Sequence, residues 1–200
     1  MNDVASAQVN PTLFSIGHSN HGMPRLIELL EQHQIDVIAD VRTSPYSKYS
    51  PQFTREPLTK ELLTHGIRYV FLGKELGGRP NGAAFYDQEG HVRYDRLANS
   101  EIFQGGLTRL LEGCASHRVA MLCSEGDPAQ CHRHLLIGRV LAERGIKIIH
   151  IEPNGGTSSY SAVAERTPIQ RSLFAGEEES QWRSPLSVLQ STAPNHSSDD

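Results

Sequence analysis

The sequence predicts an α/β domain built on a doubly wound, Rossmann-like and mainly parallel five-stranded sheet with helices on both faces. Three observations predict it. Short apolar runs rich in β-branched residues recur along the chain. Segments with apolar spacing near 3.6 separate them, and polar residues gather just after several of the runs.

The strand-like runs come in order. Residues 13–16 (LFSI) are the first, 35–41 (IDVIADV) the second and 67–72 (IRYVFL) the third. Residues 119–123 (VAMLC) and 146–151 (IKIIHI) complete the set. Near-continuous apolar runs of this length suit strands buried on both faces of a parallel sheet. Helices are predicted between them. Residues 24–32 carry Leu26, Ile27, Leu29 and Leu30, and residues 54–65 carry Leu58, Leu62 and Leu63, with Thr54 as an N-cap. Residues 101–115 carry Ile102, Phe103, Leu107, Leu110 and Leu111. Residues 128–144 carry Leu135, Leu136, Val140 and Leu141, and Gly145 is the stop. Two segments, 43–52 and 73–95, read as long loops, and loops this long in a compact domain are often functional.

The 200 residues divide into a flexible start at 1–11, one domain at 12–151 and a tail at 152–200. The formal net charge of −4 lies wholly in that tail, so the body has no global field for nucleic acid or an anionic membrane. The tail is expected to be mostly disordered, with a short helix near 186–189. Three cysteines are not a disulfide framework, which fits a reducing compartment. No run approaches the length of a membrane span, residues 1–11 lack the form of a secretion signal, and cytoplasmic residence is expected.

Ligands of open parallel sheets bind outside the carboxyl ends of the strands, near a reversal of strand order. The first run leads into Gly17-His18-Ser19-Asn20, the second ends in Asp40-Val41-Arg42 and the fourth in Cys123-Ser124-Glu125-Gly126-Asp127. A strand order of 3-2-1-4-5 would make these three ends neighbours. Asp127-Pro128 reads as a helix start, whose free N–H groups suit an anion. Cys131 then falls about one turn inside that helix beside His132 and Arg133, where a thiol's pKa should drop.

Plainer roles stand beside these. Cys123 and Cys131 also fit as small buried hydrophobes. Asp40 and Arg42 also fit as a structural ion pair, and His18 with Ser19 or Asn20 as a cap on the first helix. Several known motifs are absent. The spacing from Cys123 or Cys131 to an arginine is not that of a cysteine phosphatase loop, no Cys-x-x-Cys occurs, and residues 17–22 lack the middle glycine of a dinucleotide fingerprint. Cys123, Cys131, His132 and His18 could supply soft metal ligands, but Cys-x7-Cys-His is not a standard zinc spacing, so no metal ligands and no cofactor are assigned. Aromatics in 43–96 (Tyr46, Tyr49, Phe53, Tyr69, Phe71, Phe85, Tyr86 and Tyr94) alternate with cations such as Lys48, Arg55 and Arg79. That pattern can stack bases and follow phosphates, or can simply pin long loops.

The motifs Ile16-Gly17-His18-Ser19-Asn20, Asp40-Val41-Arg42 with Pro45-Tyr46-Ser47, and Leu72-Gly73 with Leu76-Gly77-Gly78 occur in that order. Leu122-Cys123-Ser124-Glu125, then Cys131-His132-Arg133 and a final His150-Ile151, follow them. Together they resemble domain-of-unknown-function family 488 over residues 12–151. The resemblance implies a Rossmann-like α/β fold and a bacterial-type cytosolic protein, and no settled activity.

Three functions remain open. One is an enzyme acting on a phosphate-bearing substrate, a nucleotide or nucleic acid. Cys131, Glu125, Asp40 and Cys123 would be its catalytic residues, and His18, Ser19, Arg42, Tyr46, Arg79, His132 and Arg133 its ligand-binding ones. The second is a non-catalytic nucleotide or nucleic-acid binding module, and the third a metal- or redox-dependent protein using Cys123 and Cys131. No membrane partner is expected.

Overall fold

The computed structural model describes residues 11–167 and 182–187. Five parallel strands form its frame: β1 (Thr12–Gly17), β2 (Val37–Asp40), β3 (Arg68–Phe71), β4 (Val119–Cys123) and β5 (Lys147–Ile151). A short sixth strand, β6 (Thr157–Ser159), pairs antiparallel with β5. The helices are α1 (Met23–Gln32), α2 (Arg55–Thr64), α3 (Gly73–Leu76), α4 (Tyr94–Ala98), α5 (Glu101–Cys114), α6 (Arg139–Glu143) and α7 (Tyr160–Arg166).

The sheet order is β3-β2-β4-β1-β5-β6, which corrects the expected 3-2-1-4-5. Strand β4 inserts between β2 and β1, so the three strand ends with polar clusters remain neighbours, now with β4 central. Period-two alternation divides the sheet's side chains between two cores. Ile16 and Ile38 with Ala120 and Leu122 face α1 and α2 through Leu26, Leu30, Leu58 and Leu62. Val37, Ala39, Met121 and Cys123 face the opposite way, toward Phe103 and Leu107 of α5 and Leu136 and Leu141 beyond β4. Burying each such side chain stabilises the fold by about 1.5–3 kcal/mol. The chain after β1 and β2 therefore packs on one face and the chain after β4 on the other. Such a divergence opens a crevice at the strands' carboxyl ends.

Three expectations are corrected in detail. β3 is an edge strand whose residues alternate between exposed and half-buried, so it is not covered on both faces. Thr54 precedes α2, but its side chain makes no cap and instead accepts the Ser47 N–H. The region expected as tail supplies β6 and α7. Farther on, Tyr94 N–H donates to the Trp182 carbonyl and Ser184 N–H to the Val92 carbonyl, tying residues 182–187 to the domain. Leu186 is non-helical, and the rest of the expected helix at 186–189 lies outside the described residues, apart from Ser187. No helix among the described residues is long and apolar enough to cross a membrane.

Candidate functional site

The site is built where β4 ends. Cys123 closes the strand, and the chain passes over the end of β1 at Gly17. A Cβ at Gly17 would overlap the Glu125 carbonyl, so only glycine admits this crossing. The fully buried Arg133 clamps the loop from behind, donating to the carbonyls of Glu125 at 2.5 Å and Gly126 at 2.8 Å. Asp127 then caps the Ala129 N–H at 3.0 Å.

The helix that begins there lasts only one 3-10 turn, Pro128–Gln130. Cys131 is extended (φ −124°, ψ 140°), and the chain continues as a π-helical turn, Arg133–Gly138, before α6. This corrects the single helix expected over 128–144 and the placing of Cys131 inside it. Cys131 instead acts as a cap. Its sulfur accepts the Arg133 N–H at 3.5 Å, and its carbonyl accepts from His134 and Leu135. The thiol's pKa is lowered as expected, but by its side-chain neighbours rather than by a helix start. π-helical turns often mark functional sites, and this one directs His132 back toward β4.

Four side chains meet as a result. The Cys123 and Cys131 sulfurs lie 2.9 and 3.1 Å from Glu125 Oε2, and 3.6 and 3.8 Å from His132 Nδ1. His132 Nε2 donates to the Val41 carbonyl at 3.0 Å, which leaves Nδ1 facing the sulfurs. Burial works against the Cys131 thiolate, but hydrogen bonding from Cys123 and the charges of Arg133 and His132 more than offset it, so its pKa falls well below the usual value. Burial holds Cys123 well above the usual thiol value, with the hydrogen bond to Cys131 acting in the same direction. Burial likewise raises the Glu125 pKa, reinforced by the Cys131 charge. Burial alone would lower the His132 pKa, but its contacts with Cys131 and Glu125 raise it.

A second layer lies behind this cluster. Asp40 is fully buried and accepts four hydrogen bonds: from the Arg42 backbone N–H, Nε and Nη2, and from the Tyr69 hydroxyl. It orients Arg42 and has no free oxygen for proton transfer, which corrects its assignment as a general acid or base. Arg42 Nη1 is buried with no partner among the described residues, as is His18 Nε2. Burial lowers the His18 pKa to about 4, with the nearby Arg42 charge contributing. Its ring stacks on Phe53 at 4.4 Å between centroids, and Nδ1 donates to the Ser19 carbonyl. It does not cap α1, whose N-cap is Gly22 without a side-chain bond.

A cavity of about 370 Å³ opens over the cluster. Of the residues expected at the site, Arg42, Tyr46, Arg79, Cys123, Glu125 and His132 line it. Cys131 lies behind Glu125 and His132, Asp40 behind Arg42, and Arg133 behind the loop, where it is a clamp rather than a ligand grip. His18 and Ser19 are outside the lining, with Ser19 N–H donating to the Ser124 carbonyl. The sequence reading missed the far wall, Tyr94 and residues 184–186. It also missed Gly78, where a Cβ would come within 2.7 Å of His132 Cγ. The Gly77-Gly78 pair was a usable signal for that close approach. Nothing local in the sequence indicated the wall from 184–186.

The aromatic series mostly serves the fold. Phe53 and Tyr94 are core, Tyr86 donates to the Pro80 carbonyl, and Arg55 lies over the Tyr69 and Phe71 rings. Tyr46 and Tyr49 alone in the series are strongly exposed, at 69% and 94%.

Fold and cavity define an open-sheet α/β protein with a polar pocket at the carboxyl ends of its central strands. The chain belongs to the family described as a domain of unknown function, DUF488, whose model matches residues 22–140. That span contains the whole cavity floor, and stops short of His18 on one side and His150 on the other. A comparison with proteins of curated function found no match.

Proposed function

We propose that the protein is an enzyme that takes a small phosphate-bearing substrate, such as a nucleotide, into this cavity. One observation carries the reading. Arg42 lines a cavity whose floor holds Glu125, Cys123 and His132, is only 3% exposed, and keeps a buried Nη1 without a partner among the described residues. A buried, unsatisfied guanidinium donor is costly unless an anion completes it. Asp40 and Tyr69 fix the guanidinium plane, so its free edge is preorganised. Arg79 adds a second cation at the mouth and makes no ion pair among the described residues. Glu125 holds its proton more tightly than a free carboxyl, which suits a general acid over a phosphate or its leaving group. Cys131 or Cys123 supplies the reactive sulfur in this reading. The site lies in the family's matched span, and residence in the cytoplasm agrees with free thiols.

The test is calorimetric titration with inorganic phosphate and with nucleoside monophosphates. Arg42→Gln should weaken binding by about 10–100-fold, the scale of one charged hydrogen bond. Arg79→Ala should weaken it less. Urea midpoints report whether each variant is folded. Equal affinity in both variants and the wild type contradicts the reading.

Exposure of Tyr46 and Tyr49 beside Lys48 favours a second reading, a non-catalytic module for single-stranded nucleic acid. Oligonucleotide binding that weakens steeply with salt and is lost in Tyr46→Ala, with Glu125→Gln and Cys131→Ser still functional, would support it.

A further inference from the structure

We infer that Cys123, Cys131 and His132 hold a divalent ion of the zinc class at the cavity floor, with Glu125 at the fourth position. This deepens the proposed active site and rests on the cavity being one.

Two separate segments supply the donors: the end of β4 with its loop, and the extended residue before the π-helical turn. The fold therefore assembles the set before any ligand arrives. The donor atoms of Cys123, Glu125, Cys131 and His132 all lie within 4.8 Å of one another. Tetrahedral zinc, with bonds of about 2.3 Å to sulfur and about 2.0 Å to nitrogen, places a sulfur and a nitrogen ligand about 3.5 Å apart. The two sulfur–nitrogen separations here are 3.6 and 3.8 Å. Both sulfur–nitrogen edges are thus already close to those of such a tetrahedron, and the sulfurs lie within 4.8 Å of each other.

The surroundings match those of a metal site. The Val41 carbonyl can only accept, so it keeps a proton on His132 Nε2 and leaves Nδ1 facing the sulfurs, where loss of its proton would free a lone pair for the ion. The Arg133 N–H supports the Cys131 sulfur, and the Arg133 guanidinium holds the carbonyls of Glu125 and Gly126. Two sulfurs, an imidazole and a carboxylate form a soft-to-borderline set, which selects zinc over magnesium or calcium.

Glu125 differs from the other three. At 2.9 and 3.1 Å from the sulfurs, its Oε2 is at thiol hydrogen-bonding distance, shorter than a coordination edge of about 3.5 Å. Entry of the ion displaces to solvent the protons that the ligating groups still hold, that of the Cys123 thiol among them. The carboxylate then either ligates or yields its place to a water or a substrate oxygen. Cys123, Glu125 and His132 line the cavity, so that replaceable position faces the ligand space. Three fixed ligands and one exchangeable position are the arrangement of catalytic rather than structural zinc.

The test uses the full chain, reduced and stripped with a chelator, then titrated with cobalt(II) and back-titrated with zinc. One cobalt per chain is expected, with a thiolate-to-cobalt charge-transfer band and the intense visible bands of tetrahedral cobalt; zinc should abolish both. Cys123→Ser, Cys131→Ser and His132→Ala should each weaken binding by about 100-fold or more, while Glu125→Gln costs about tenfold or less. Cys114→Ser serves as the folded control that keeps one free thiol fewer, and it should bind as the wild type does. Absence of the charge-transfer band, weak octahedral bands only, or an unaltered spectrum in Cys123→Ser overturns the inference. If the metal fails while Arg42-dependent phosphate binding persists, the ion alone is wrong. If phosphate binding fails while cobalt binds, the metal site stands and the substrate reading is wrong.

Discussion

Two polar clusters flank the central strands, and they differ in kind. One is the cavity floor of Cys123, Glu125, Cys131 and His132. The other is a chain across β1 and β5: Ser15 Oγ to His150 Nδ1 at 2.6 Å, His150 Nε2 to His134 Nδ1 at 3.1 Å, and His134 Nε2 to Thr167 Oγ1 at 3.4 Å. Both contain histidines with shifted pKa values. In the second, every ring nitrogen has a partner, Ser15 and His150 are fully buried, and Tyr160 packs on the His134 ring. In the first, donors crowd together beneath an open cavity lined by Arg42, whose buried Nη1 has no partner among the described residues. A buried imidazole does not by itself mark a site. What marks one is incomplete pairing beside a cavity.

The sharpest way to break the comparison is His150→Leu. It leaves Ser15 Oγ and His134 Nδ1 without partners in the interior and should cost about 2–4 kcal/mol of stability in urea titrations. Phosphate affinity at the cavity should not change. A loss of affinity in the folded variant would show that the histidine chain belongs to the site.

Acid sensitivity tests the histidine chain next. Burial lowers the His134 pKa to about 4 and the His150 pKa to about 3, from an ordinary 6.5. Above pH 6.5 neither the folded nor the unfolded chain binds these protons, and the stability they contribute is fully present. As pH falls below that, the unfolded chain takes up protons that the folded chain refuses. Stability then declines by up to about 1.4 kcal/mol per pH unit for each histidine, until the folded values are reached. Urea midpoints measured from pH 7 to pH 4 should show this slope, and His150→Leu should flatten it. An unchanged slope in the variant would place the acid sensitivity elsewhere.

The smallest of these effects is expected at Gly78→Ala. The added methyl group would press on the His132 ring, at an overpacking cost of about 1–3 kcal/mol. It should also displace Nδ1 from the sulfurs, so phosphate and cobalt binding should fall more than stability does. Intact binding would show that the position of His132 matters little.

Much of the fold was legible in the sequence, because apolar runs and 3.6-residue spacing report burial directly. The end of β4 at Cys123 and the start of α5 at Glu101 were placed to the residue. Strand order was not legible. Inserting β4 between β2 and β1 depends on which strands pair, and every central strand has the same buried pattern. The break at Cys131 was also hidden, because Asp127-Pro128 starts a 3-10 turn with the same cap that starts an α-helix. For the site, the residue types at the strand ends were informative, but their roles were not. Asp40 and Arg133 carry charges that suggest chemistry, and the structure spends both on holding other groups in place. The meeting of Cys123 with Cys131 and His132 needs the loop to fold back, which local spacing does not encode.

Histidine-resolved NMR during titration with inorganic phosphate tests the central claim most directly. The account predicts that the ring signals of His132 and His18, beside Arg42, move with phosphate, while those of His134 and His150 stay fixed. Movement of His134 and His150 with His132 unchanged would contradict it, as would no movement of any ring at saturating phosphate.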